Sequence, residues 1–169
     1  MSDYHNKNRG YQQLRVWQDA MQLFVLCCRV FRGWPYEFRR IASQGLASSD
    51  SIHRNIAEGY CRRSIREYLN FLNITLGSLG ESVSGLLAYR QAALISEADF
   101  TVLNDLAFKL ENGLLKLVES LELKRESGDW IESLVVKESN ATYGADSQHS
   151  NAPTLQHSIV SDSSQEIAL

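Results

Sequence analysis

The sequence has few residues that break or cross-link a chain. Only two prolines, Pro35 and Pro153, stand in 169 residues, so long stretches carry no obligatory stop for a helix. Three cysteines occur, with Cys27 and Cys28 adjacent and Cys61 alone. An odd number without C-x-x-C spacing excludes a disulfide framework and suits a reducing compartment, with Cys27 and Cys28 as small buried apolar side chains. The longest apolar run, Leu23 to Cys28, is far short of the ~20 residues that cross a bilayer. No basic stretch followed by an apolar one reads as a signal peptide. The expectation is a cytoplasmic protein with no membrane partner. His5, His53, His149 and His157 lie apart without a ligand partner at helical spacing, and neither a G-x-G-x-x-G nor a Walker pattern is present. Catalytic residues, metal ligands and cofactors are therefore all expected to be absent, and the chain reads as a non-enzyme.

What is present is helical periodicity over a 44% hydrophobic composition. Leu14, Trp17, Met21, Phe24, Cys28 and Phe31 recur at spacings of three and four and predict a first helix, ended by Gly33 and Pro35. A second, starting near Pro35, carries Phe38, Ile41, Ala42, Gly45, Ser49, Ile52, Ile56 and Gly59. Its small residues predict close approach of a neighbouring helix. Ser64-Ile65-Arg66-Glu67 has the form of a capping box before a third stripe of Tyr68, Leu69, Leu72, Leu76, Leu79, Val83, Leu86 and Leu87. Ser96 to Asp99 is a weaker box before Phe100, Leu103, Ala107, Leu110, Leu114, Leu117 and Leu121. Four amphipathic helices with short connections bury their stripes against one another, which predicts an all-α, antiparallel up-down-up-down four-helix bundle. The expected organisation is a flexible segment over 1–12, the bundle over 13–126, and a disordered low-complexity tail over 127–169.

Two strings carry more than periodicity: Ser51-Ile52-His53-Arg54-Asn55-Ile56-Ala57-Glu58-Gly59, and Phe71-Leu72-Asn73-Ile74-Thr75-Leu76-Gly77-Ser78-Leu79-Gly80-Glu81. They resemble the S-I-x-x-N-I-A-E-G and F-L-x-I-A-x-G-S-L-x-E signatures of the bacterial four-helix bundle proteins found as reading frames in intervening sequences of large-subunit ribosomal RNA genes. Relatives include accessory variability determinant proteins of diversity-generating retroelements. Thr75 stands where the signature has alanine. The resemblance implies a four-helix bundle, a homopentamer, and association with nucleic acid and a reverse transcriptase. Within the motifs, Asn55 and Glu58 are expected to satisfy buried polar groups, Gly59, Gly77 and Gly80 to serve close packing, Ser78 to belong to the same structural motif, and Glu81 to pair with an arginine of a neighbouring helix or subunit.

Net charge is −3, but residues 1–66 sum to +6 and the remainder to −9. Arginine supplies nearly all of the positive half, which suits phosphate recognition. Arg15 and Arg29 are two heptads apart, as are Arg40 and Arg54, so each pair is expected to project one way; Arg62, Arg63 and Arg66 cluster at a turn. These seven are the candidate nucleic-acid contacts, for RNA or DNA without base preference. Val16, Leu26, Val30 and Leu106 fall beside the inner stripes, where they are expected either to widen the buried face or to form subunit contacts. The rival reading is a structural or protein-interaction scaffold whose arginines only solubilise it.

Overall fold

Ser64 and Ser96 start the two longest helices. The structure, a computed structural model of the chain, describes residues 7–128. The order is α1 (Arg15–Phe31), α2 (Arg39–Tyr60), α3 (Ile65–Gln91) and α4 (Glu97–Ser127), with no strand among the described residues. Ser96 Oγ accepts from Asp99 N at 3.0 Å and donates to the Asp99 carboxylate at 2.6 Å, closing the first turn of α4. Ser64 Oγ instead accepts from Arg66 N at 3.2 Å, one position short of the expected box. Gly128, with φ 71°, ends α4 in the left-handed conformation that costs glycine least. Pro35 precedes a 3₁₀ turn, Tyr36–Phe38, and α2 proper starts only at Arg39.

Contacts along the helices fix their directions. Phe31 meets Gly45 while Phe24 lies against His53; Ser48 bonds Ser82 while Ser51 bonds Ser78. Asp19 pairs with Lys109 and Val16 faces Gly113. Arg90 covers Phe100, whereas Arg66 and Arg125 share a groove at the far end. Each sequential pair therefore runs antiparallel, and α1 closes the ring against α4. Leu23, Ile52, Ile56, Leu72, Leu103, Leu110 and Leu114 fill the centre.

The first stripe is rotated from its expected position. α1 buries Val16, Ala20, Leu23, Cys27 and Phe31, while Trp17, Met21, Phe24 and Cys28 lie half-buried at the border. Both series fit helical spacing one residue apart, and Asp19 and Gln18 do not separate them; packing against α2 and α4 does. Val16 and Leu106 are consequently core residues and Leu26 and Val30 pack against that core, so of the two expectations for these four it is the wider buried face that the structure shows. Leu87 and Ile41, expected inside, are exposed. Tyr89 takes the inner place at that end of α3, where its ring packs edge-on to Phe31 and Trp34.

The small residues of α2 separate into two kinds. A Cβ at Gly45 would stand 3.0 Å from both Phe31 and Tyr89, and one at Gly59 would stand 2.7 Å from the Phe71 Cβ. These two are close-packing positions, as expected. Gly77 and Gly80 are not: both are exposed, and nothing lies within 4 Å of an added Cβ. Their helix rotates them outward because Thr75, Leu79 and Ser82 take the inner face. Lys7–Gln13, which overlaps the segment 1–12 expected to be flexible, forms a 3₁₀ helix whose Tyr11 packs on Trp17 and Tyr60. The expected disordered tail falls, from residue 129, outside the described residues.

Candidate nucleic-acid interface

The two sequence motifs meet across the α2–α3 contact. Asn55 donates to Ser51 O and Ser51 Oγ, each at 2.8 Å, and Ser51 Oγ lies 2.9 Å from Ser78 Oγ. One turn away, Ser82 donates to Ser48 at 2.9 Å. Hydroxyls this small let the helices approach, and the cross-links answer the polar groups that approach would bury. Asn55 and Ser78 thus hold the helix pair in register. Glu58 does not share this inner position: it is exposed and pairs with Arg62 one turn on. Glu81 is also exposed, and no arginine pairs with it among the described residues.

His53 Nε2 is 3.0 Å from Asp50, whose other oxygen binds Arg54 Nε at 2.6 Å. Cys27 is buried, and its thiol is pushed up to about 11 by that burial. Among the described residues no three His, Cys, Asp or Glu side chains gather as metal ligands, and no helix is long and apolar enough to cross a membrane.

The candidate arginines do not form one surface. Fourteen residues of helix separate Arg15 from Arg29, and Arg40 from Arg54, about 21 Å in each case. Arg29 and Arg40 lie toward the α1–α2 connection; Arg15, Arg62, Arg63 and Arg66 lie toward the opposite end. Arg54 stands between and is held by Asp50. A two-heptad spacing aligns side chains on a face but says nothing about which end of a bundle they share.

Where α3 starts and α4 ends, the fold adds a residue that sequence reading missed. Arg66 and Arg125 line one open groove of about 510 Å³ with Glu67, Leu69, Asn70, Phe71 and Asn73. Arg62 lies over the Phe71 ring, 4.8 Å from its centroid, and is tethered to Glu58. Arg66 is exposed and makes no ion pair among the described residues. Arg125 is 59 residues from Arg66 in sequence, in a half of the chain whose net charge is negative, so only the antiparallel α3–α4 pairing brings it here. A basic last turn, Lys124-Arg125, was the available signal.

Residues 12–116 match the family of 23S rRNA-intervening sequence proteins. The chain belongs to that family. Its fold is shared by a protein of unknown function from the S23 ribosomal protein family of Bacteroides thetaiotaomicron VPI-5482, solved by crystallography. The two are 21% identical with a TM-score of 0.58, over 62% of this chain and 95% of that one. No curated protein matches. Both family motifs lie within the matched residues, and the seam from Asn55 through Ser51 to Ser78 explains physically why their polar positions belong together. Arg125 lies beyond the match, so the family's shared region does not include the whole groove.

Proposed function

We propose that this protein is a non-enzymatic, homo-oligomeric accessory protein that binds nucleic acid at the arginine-rich end of its bundle. The observation that carries this reading is the groove shared by Arg66 and the distant Arg125, with Arg62 stacked on its Phe71 and Arg63 next in sequence. Arginines near one exposed groove neutralise phosphates without reading sequence. Arg15 extends this surface, while Arg29, Arg40 and Arg54 are subsidiary contacts. The resemblance to accessory variability determinant proteins adds a reverse transcriptase as the proposed protein partner.

Self-association is supported by the outer α3–α4 face. Phe108, Leu115 and Leu87 are 65, 50 and 43% exposed, and the α3–α4 register puts open Gly80 at about the height of Phe108. Large exposed apolar side chains beside a helix surface without bulk suit contact with another copy; a pentamer is the assembly that the resemblance implies. The same face supports the alternative of a protein scaffold. Sedimentation of the full chain with and without single-stranded RNA separates them: binding that weakens with salt supports the nucleic-acid reading, and an oligomer that ignores RNA at low salt supports the scaffold.

A further inference from the structure

The groove between the start of α3 and the end of α4 is lined by both charge and carboxamide. It carries two guanidiniums, Arg66 and Arg125, against one carboxylate, Glu67. Asn70 and Asn73 follow Arg66 at spacings of four and three, so the three side chains share a stripe of α3. The stripe continues to Gly77, where nothing stands within 4 Å of an added Cβ. From Tyr68 to Gly80 there is no charged residue at all, an unusual composition for a helix with an exposed face.

Resting on the proposed function above, we infer that this groove is a nucleotide subsite for single-stranded RNA, with Arg66 and Arg125 on a backbone phosphate and Asn70 and Asn73 on the edge of the adjoining base. Guanidinium groups suit phosphate because their planar fork presents paired donors. A carboxamide presents both a donor and an acceptor, which complements the Watson–Crick edge of a base. That edge is free in a single strand and occupied in a duplex, so the asparagines favour the single strand. The volume falls within the ~300–1,000 Å³ of sites that hold small molecules, room for one nucleotide. The neutral track toward Gly77 lets a strand continue along α3 without meeting a carboxylate before Glu81. Glu67 opposes the phosphate, leaving a lining of +1, so affinity depends on both arginines together.

The test is nuclear magnetic resonance of the full chain, following the side-chain signals of Asn70, Asn73, Arg66 and Arg125. The probes are a short mixed-sequence single-stranded RNA, the same RNA as a duplex, and adenosine 5′-monophosphate. The single strand is expected to shift all four residues, the duplex to leave the asparagines unmoved, and the mononucleotide to shift the same four at higher concentration. Arg66→Gln with Arg125→Gln should weaken the single strand about tenfold or more, as loss of charge-assisted bonds implies. Asn70→Ala with Asn73→Ala should narrow the differences between homopolymers and leave the salt dependence unchanged. All four positions are on exposed helix surface, and unchanged helicity checks each variant. RNA binding that leaves the four signals still and survives loss of both arginines overturns the groove while the proposed function stands. No binding of RNA by the intact protein overturns both, and shifts with the mononucleotide alone overturn the assignment to a strand.

Discussion

Tyr68 packs against Gly59 and edge-on to Tyr60, and its hydroxyl is buried without a hydrogen-bond partner among the described residues. Burial also pushes its ionisation well above the usual tyrosine range. An unanswered buried hydroxyl costs about 1–3 kcal/mol, so Tyr68→Phe should raise stability by roughly 1 kcal/mol in chemical denaturation; a comparable loss would mean that the hydroxyl has a partner. Cys27 makes the pH prediction. Its thiol, at about 11 when folded against 9.0 for the unperturbed group, stays protonated where an unfolded chain has released its proton. The folded state therefore binds more protons between those values, and stability must fall as pH rises through them. Below pH 9 the contribution is complete. Tyr68 and Tyr89, both raised by burial, steepen the fall further up. Urea midpoints measured from neutral pH upward should decline from about pH 9, and Cys27→Val should flatten the first part of that decline; a wild-type midpoint constant through pH 11 contradicts the burial of this thiol.

At the scale of the helices, the two kinds of glycine make opposite predictions. Gly45→Leu forces a side chain into Phe31 and Tyr89, already 3.0 Å from an added Cβ, and overpacking of this kind costs about 1–3 kcal/mol. Gly77→Ala and Gly80→Ala meet open space, and each should strengthen α3 by up to about 1 kcal/mol, because glycine is a poor helix former. Thermal unfolding of the three variants at a concentration low enough for monomers would reverse this account if Gly45→Leu stabilised or the outer pair destabilised. The helices themselves were legible in the sequence because periodicity and the Ser64 and Ser96 caps report local chemistry. Rotation about each helix was less so. Alternative stripes on α1 differ by one residue, and the inner face of α3 includes Thr75 and Ser82, whose hydroxyls are answered by Phe71 O and Ser48. A reading that seeks apolar residues passes over polar ones satisfied inside, and so turned Gly77 and Gly80 inward and Leu87 with them.

For the whole molecule, what was legible was the fold and one corner of the candidate site. Arg62, Arg63 and Arg66 are neighbours in sequence, and Asn70 and Asn73 follow Arg66 along one stripe of α3; Arg125 joins them only through the antiparallel pairing of α3 with α4. Conversely, Arg29 and Arg40 share sequence spacing logic with Arg15 and Arg54 but stand at the other end of the bundle. The outer α3–α4 face gives a prediction at this scale: Phe108→Glu with Leu115→Glu should leave helicity intact, since both are exposed, and shift sedimentation toward the monomer. Sedimentation unchanged from that of the parent chain would contradict the proposed self-association through this face. The most direct measurement is the affinity of the full chain for single-stranded RNA as salt is raised. Each phosphate contact releases condensed counterions and contributes a log–log slope of about −0.7. The account predicts binding at low salt with a steep negative slope, flattened when Arg62, Arg66 and Arg125 become Gln and far less changed when Arg29 and Arg40 do. No binding at low salt, or a slope indifferent to the first set of substitutions, would contradict it.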